Sequence, residues 1–317
     1  AAADGWVIAL GRLLVVMPHL TVLPRFGQLK VPAAEDLTVI IQGFGAVGAH
    51  AARQLVDRFP AAKVIGISDL DGYLYDPTGL PLDKLLRTAR QHGQVTRHFY
   101  ETEIAAQGHR HSTKFSTAAD NLLRESAFCF IPAAPIFNYL GVRPSEACSM
   151  NVDQMGNWSM IIEGANTYSP DPNRKAARIR MERAVYRRKS VMIANDYLVN
   201  SGGVIFAAQE HLVPTPAHLQ IPAEIVGNRK AVECWLVDNE AAFSKLSAKR
   251  LAAGIEHRDR SIRGNMTELV DLLACNSELL PGQEEEPDAR DDESGHEAAG
   301  VARGRALPAP GPRPGPV

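Results

Sequence analysis

The sequence is poor in the groupings that build metal centres and disulfide frameworks. Its four cysteines, Cys129, Cys148, Cys234 and Cys275, form no CxxC pair and no cluster. Buried reduced thiols are expected rather than a covalent framework or a zinc site. The ten histidines do not converge either. His109 and His111 could share a face of an extended segment, but no Cys or carboxylate cluster joins them, and no metal is expected. An excess of one charge is also missing: Lys and Arg total 34 against 36 Asp and Glu, a formal net charge of −2. With no basic tract interleaved with aromatics, a general nucleic-acid binder is excluded. No uninterrupted apolar run approaches the roughly 20 residues that span a bilayer. The stretch WVIALGRLLVVM near the start is broken by Gly11 and Arg12 and ended by Pro18. No basic region precedes it, which makes it a poor signal peptide. It reads as a buried helix, and a cytoplasmic protein without a membrane partner is expected.

What is present is a globular composition, with 45% hydrophobic residues over 317 positions, enough for one large or two modest domains. Residues 1–36 read as a lead-in, the remnant of a preceding domain or a linker, ending in the polar VPAAED. Strand and helix signals then alternate. Apolar runs at Leu37–Gln42, Lys63–Ser68, Ala127–Ile131, Met160–Ile162 and Val191–Ile193 predict buried strands. Val47–Phe59, Pro81–His92, Pro172–Arg188 and a segment from Gly203 through His211 predict helices, with a short one capped by Ser116 or Thr117 and reaching Arg124. Residues 93–115 are polar and read as a loop with short strands. Alternation of this kind implies βαβ units: an α/β fold, doubly wound and Rossmann-type, with a mainly parallel sheet and helices on both faces. The dinucleotide-binding domain is placed at 37–222 and a C-terminal helical segment at 223–280. An acidic, then proline-rich tail at 281–317 cannot bury enough to order itself and is expected to be disordered.

The stretch VIIQGFGAVGAHAA places Gly43, Gly45 and Gly48 where a strand gives way to a helix. G-x-G-x-x-G alone is a weak signal. Its context raises it, because a second strand ends in an acid, Asp69, about twenty residues on. Gly43 permits a tight turn, Gly45 lets the backbone approach a pyrophosphate, and Gly48 lets helix and strand pack closely. The helix N-terminus offers unpaired N–H groups and partial positive charge to the phosphates. Asp69 can accept hydrogen bonds from the adenosine ribose. A 2′-phosphate there would meet a like charge, and SDLDGYLYD offers no Arg or Lys to relieve it, so NAD is expected over NADP.

Five segments, in order and spacing, resemble the glutamate/leucine/phenylalanine/valine dehydrogenase family: IIQGFGAVG, SDLDGYLYDPTGL, FIPAAPIFN, IIEGAN and NDYLVNSGGVIFAAQE. The resemblance covers about residues 37–280. It implies NAD(P)-dependent oxidative deamination of an L-amino acid, such as glutamate, to a 2-oxo acid and ammonia, and a homo-oligomer. It also implies site residues. The backbone of Phe44, Gly45, Ala46 and Val47 would cradle the pyrophosphate, with Ala46 standing where relatives often carry Asn. Ala133 and Ala134 would line the cleft, Asn138 would offer an amide near the ribose, and Asn166 and Asn200 would lie by the nicotinamide ribose and carboxamide. Glu163 is read as a structural acid holding its loop. Ala207 takes the place of a serine that meets the distal carboxylate in glutamate-specific members, which weakens glutamate and leaves room for apolar substrates.

The glycine-rich, lysine-bearing catalytic segment of that family has no counterpart in residues 1–36. Lys30, in LKVPAAED, is the first lysine and stands in no such context. No catalytic residue is assigned. The chain is expected to represent the cofactor-binding half of a two-domain enzyme, inactive alone because the acid/base and substrate clamp are missing. The alternative is a non-catalytic dinucleotide-binding or regulatory module.

Overall fold

The centre of the molecule is a strand with no polar face. Thr38–Gln42 (β1) carries Val39, Ile40 and Ile41 with no measurable exposure, as a strand covered on both sides requires. The computed structural model describes residues 2–21, 26–27, 29, 31–107, 112–135, 138–167, 169–208 and 213–275. All belong to one compact unit, Ala1–Pro281.

In chain order the elements are α1 (Ala2–Leu20), β1, α2 (Ala46–Arg58), β2 (Lys63–Asp69), β3 (Gly72–Tyr75), α3 (Leu82–His92), α4 (Thr96–Phe99), β4 (Lys114–Ser116), β5 (Cys129–Pro132), β6 (Leu140–Gly141), β7 (Met150–Asn151), β8 (Met160–Ile162), α5 (Pro172–Lys189), β9 (Met192–Ala194), α6 (Asp196–Val199), α7 (Gly202–Ala208), α8 (Arg229–Asp238) and α9 (Glu240–Cys275). Seven strands form one sheet in the order β4-β3-β2-β1-β5-β8-β9. From β2 to β9 the pairs are parallel, while β3 runs antiparallel to both β2 and β4. β6 and β7 pair separately.

Side chains alternate across this sheet. Val39, Ile41, Cys129, Ile131, Met160 and Ile162 enter one core with α1, α2, α3 and α9. Ile40, Phe130 and Ile161 enter the other with α5 and the β6–β7 segment. The fold is therefore α/β and doubly wound, with helices on both faces. Chain order reverses beside β1, where β2 follows on one side and β5 returns on the other. Gln42 stands opposite Pro132 at the carboxyl ends of these two strands, the crevice where open α/β sheets bind ligands.

Several segments depart from expectation. Residues 93–115 are not mainly loop: α4 runs on through a wide i→i+5 turn at Tyr100–Ile104, where the Ala105 N–H donates to the Tyr100 carbonyl. β3 and the β6–β7 pair were not foreseen. Ala2–Leu20, in the segment read as a lead-in, is buried against α2 and α9 through Trp6, Leu10, Met17 and Leu20. The expected tail at 281–317, Lys30, His109, His111 and the end of the helix toward His211 lie outside the described residues.

Candidate functional site

The three glycines do three different things. Gly43 has φ +91°, and a Cβ there would stand 2.7 Å from the Ala134 nitrogen. Its N–H donates to the Ser68 carbonyl at 3.0 Å and the Phe44 N–H donates to the same oxygen at 2.6 Å. At Gly48 a Cβ would lie 2.1 Å from the Gly43 carbonyl oxygen and 3.2 Å from the Ile41 Cγ2, so helix and strand meet backbone to backbone. Gly45 is the opposite case: it is exposed, and nothing lies within 4 Å of where its Cβ would be. The open space over Gly45 fits a diphosphate approaching the main chain. No side chain caps α2, and Ala46 and Val47 are exposed at its first turn. Its leading N–H groups therefore face outward. Phe44 differs from expectation. Its amide is already bonded and its ring is buried, so it anchors the turn while Ala46, Val47 and Gly48 remain as donors.

Asp69 also differs. Its Oδ1 accepts from the Asp71 N–H at 2.9 Å and the Thr96 hydroxyl at 2.6 Å. Its Oδ2 accepts from the N–H groups of Val95 at 2.6 Å and Thr96 at 2.9 Å. A carboxylate has about four acceptor positions, and all are filled. Asp69 caps the start of α4 and closes the β2–β3 turn, so the free acceptor expected for a ribose is not present in this arrangement.

The other motifs converge at the carboxyl ends of β5, β8 and β9. The Ala133 N–H donates to the Gln42 carbonyl at 2.8 Å, and the Gly164 N–H to the Pro132 carbonyl at 2.9 Å. Ala134 lies on Gly43, which joins the PAA segment to the glycine turn. Asn166 and Asn200 meet: the Asn200 Nδ2 donates to the Asn166 Oδ1 at 2.7 Å. This leaves the Asn166 amide hydrogens as donors and the Asn200 carbonyl as an acceptor, the complement of a primary carboxamide. Asn138 is held by its backbone, its carbonyl accepting from the Ser149 N–H at 3.2 Å. It lines a cavity of about 590 Å³ with Asp120, Glu146 and Arg180. Ala207 stands exposed on α7 and presents only a methyl group.

Glu163 holds this end together. It is fully buried, pairs with Arg178, accepts from the Tyr139 hydroxyl, and accepts from the Asp196 N–H at 3.1 Å. Burial pushes its carboxyl up from the ordinary range despite the adjacent guanidinium. The same burial, with Glu163 beside it, drives the Tyr139 phenol well up. Asp196 in turn accepts from the Thr167 N–H at 2.8 Å, fixing the far side of the Asn166 loop.

Sequence reasoning missed Gln42. Its amide donates to Asp120 at 3.3 Å and Ser149 at 3.2 Å, binding β1 to the wall of the cavity that Asn138 lines. The available signal was a polar residue ending an otherwise apolar strand. Among the described residues no group of three His, Cys, Asp or Glu side chains could hold a metal, and no helix is long and apolar enough to cross a membrane.

A glycine turn at the strand-order reversal, an uncapped helix behind it and an asparagine pair in the segments that follow β8 and β9 belong to a doubly wound, Rossmann-type α/β domain. The family model for glutamate/leucine/phenylalanine/valine dehydrogenases matches residues 24–218, more than half of the chain, and the chain belongs to that family. A glutamate dehydrogenase of Aeropyrum pernix is 29% identical over 215 residues, covering 68% of this chain and 40% of that protein. An NAD-specific glutamate dehydrogenase of Staphylococcus aureus is 47% identical over 68 residues, or 22% of this chain and 16% of that one. Among solved structures, a Plasmodium falciparum glutamate dehydrogenase aligns with a TM-score of 0.44 at 16% identity, covering 84% of this chain and 50% of that one. The chain thus spans well under half the length of these two curated relatives.

Proposed function

We propose that this chain is the dinucleotide-binding part of an NAD-linked L-amino-acid dehydrogenase. The observation that carries this reading is the Asn166–Asn200 pair, in the segments that follow β8 and β9, together with the open glycine turn after β1. A domain that sensed only the adenine end would need the glycine turn and no carboxamide-complementary pair beyond it. When bound, the dinucleotide supplies a hydride acceptor for the α-carbon of the amino acid, and with water the products are a 2-oxo acid and ammonia.

The chain's own residues bind and orient. The N–H groups of Ala46, Val47 and Gly48 hold the diphosphate, and Gly43 and Ala134 set the depth of the crevice. Asn166 and Asn200 fix the nicotinamide carboxamide and with it the ring face that meets substrate. Glu163, buried beneath, and the mostly covered Arg178 hold the loop carrying Asn166. Ala207 gives the substrate side an apolar wall, which favours an apolar L-amino acid over glutamate. Cytoplasmic location and assembly as a homo-oligomer belong to the same proposal. A second reading is a dinucleotide-binding module without turnover.

NADH fluorescence titration, followed by an absorbance assay against several L-amino acids, tests both. Saturable binding is expected. Turnover with any L-amino acid removes the module reading; binding without turnover is the outcome both readings give for the chain alone, and no binding removes both. Gly45→Val is the matched variant. Gly45 has φ −80°, which a side chain tolerates, and open space around it. Folding should be retained while NADH weakens about tenfold or more, since about 1.4 kcal/mol of lost contact suffices for that.

A further inference from the structure

The last helix carries two residue patterns, and the fold uses one of them. Leu246, Gly254, Arg258, Ile262 and Met266 of α9 are buried, and the helix packs on α1 and α7. A second series runs along another side: Ala241, Ser244, Ala248, Leu251 and Ile255. Its spacings alternate between three and four, the a/d repeat by which one helix seats another. All five residues are exposed, Leu251 by 51% and Ile255 by 39%. The chain therefore presents a helix-pairing seam on a face that the described fold leaves open.

The order of sizes along the seam says what fits it. Ala241, Ser244 and Ala248 are small and come first; Leu251 and Ile255 are large and come last. A parallel copy would set small on small and leave a void. An antiparallel copy sets Leu251 over Ala248 of the partner subunit and Ile255 over Ser244 of the partner subunit, each contact made twice. Large against small is how packed layers interdigitate, and a surface that complements itself is what a two-fold dimer requires. Charge agrees with size. Lys245 and Glu256 are eleven positions apart, about three turns, so both lie along one edge of the seam. A two-fold axis keeps that edge on one side and reverses its direction. Lys245 then comes within about 3 Å, along the axis, of Glu256 of the partner subunit. Lys245 forms no ion pair among the described residues, and Glu256 is held by Arg260 alone, in a pair with side chains 71% and 72% exposed.

We propose that the exposed seam of α9 is a self-association surface, and that its occupant is the same helix of a second copy of this chain, antiparallel across a two-fold axis. This gives the homo-oligomer proposed above a defined surface, and it does not require a bound nucleotide. The seam is about 21 Å long at 1.5 Å per residue. A contact of that length makes a weak dimer, with a Kd between about 1 and 100 µM.

Sedimentation velocity on the full 317-residue chain tests this across that concentration range. A reducing agent is present, because Cys234 is exposed. Leu251→Glu and Ile255→Glu should each raise the dimer Kd about tenfold or more, since pairing would then bury an unmatched carboxylate. Both sites are exposed, so the thermal unfolding of each variant should stay within about 2 °C of the parent. Lys245→Glu alone, or Glu256→Lys alone, should weaken the dimer about threefold. The double exchange Lys245→Glu, Glu256→Lys should recover the parent Kd. Recovery singles out a second copy in antiparallel register, because only a partner carrying both changes regains the charge match. A chain that stays monomeric at about 100 µM overturns the proposal, and self-association with it. An oligomer indifferent to Leu251→Glu and Ile255→Glu overturns this inference alone, as does a double exchange that binds no better than either single variant.

Discussion

Asp76, just past β3, is buried among hydroxyl groups. Its Oδ1 accepts from the Thr78 hydroxyl at 2.6 Å and the Thr78 N–H at 2.9 Å, and its Oδ2 from Ser112 at 2.7 Å and Thr113 at 2.8 Å. Burial alone would raise its pKa, but these hydrogen bonds together outweigh burial and hold it below the ordinary 3.8. The sign for stability follows. A depressed native pKa means the unfolded chain takes up the proton first. The contribution of Asp76 is complete above about pH 4 and is lost as pH falls through the native value. Asp76→Asn should cost about 1–3 kcal/mol at neutral pH, because hydrogen bonds to a charged acceptor become weaker neutral ones. It should also flatten the acid limb of a urea-melt stability profile below pH 4. An acid limb of unchanged slope would assign that limb to other carboxylates.

At the scale of elements, the glycine turn is where strand and helix meet backbone to backbone. Gly48→Ala tests that packing. The added methyl would meet the Gly43 carbonyl oxygen at 2.1 Å, a backbone atom with no rotamer to escape into. A loss of about 1–3 kcal/mol is expected in denaturant melts, as for other overpacked sites. The bend at Gly43 and the close packing at Gly48 were legible in the sequence, because the spacing of the motif assigned one glycine to each. Strands β1, β2, β5 and β8 were also legible, since strands covered on both faces read as apolar runs. The Tyr100–Ile104 turn was not. Val95 and Phe99 are four apart, but Phe99 and Ile104 are five apart, and this i→i+5 geometry breaks the periodicity that marks a helix. β3 was hidden for a different reason. GYLY is short and follows a turn, and its strand character comes from pairing with β2 and β4 on both sides. Asp69 was placed correctly at a strand end, yet its partners, Val95 and Thr96, come from a distant segment that local reasoning cannot connect to it.

At the scale of the whole molecule, α1 joins the sequence's first residues to the far side of the crevice. Arg258 of α9, nearly fully buried, donates to Asp4 of α1 at 2.8 Å and pairs with Asp259, which also holds Arg58 of α2 at 3.2 Å. Three helices are thus tied at one point. Beside that knot, the fully buried Trp6 ring fills the space over Gly164, where even a methyl would stand 2.3 Å from the indole. Gly5 backs onto the Val199 carbonyl, 2.5 Å from where its Cβ would lie. Gly164 precedes Asn166 by two positions, and Val199 precedes Asn200 by one. The helix therefore backs the two segments that carry the asparagines. Trp6→Ala should cost about 3–5 kcal/mol, as other large aromatic deletions do. It should also weaken NADH in the fraction that remains folded, because the Asn166 loop loses its floor. Met17→Ala supplies the control. Met17 is equally buried in α1, but lies about 16 Å farther along the helix at 1.5 Å per residue. It should lose comparable stability, about 2–5 kcal/mol, and keep its NADH affinity. Titrating both variants at low temperature, with folding checked by circular dichroism, separates support of the site from filling of the core. If both variants bind NADH as the parent does, α1 only fills the core and the asparagine pair is held by Glu163, Arg178 and Asp196 without it.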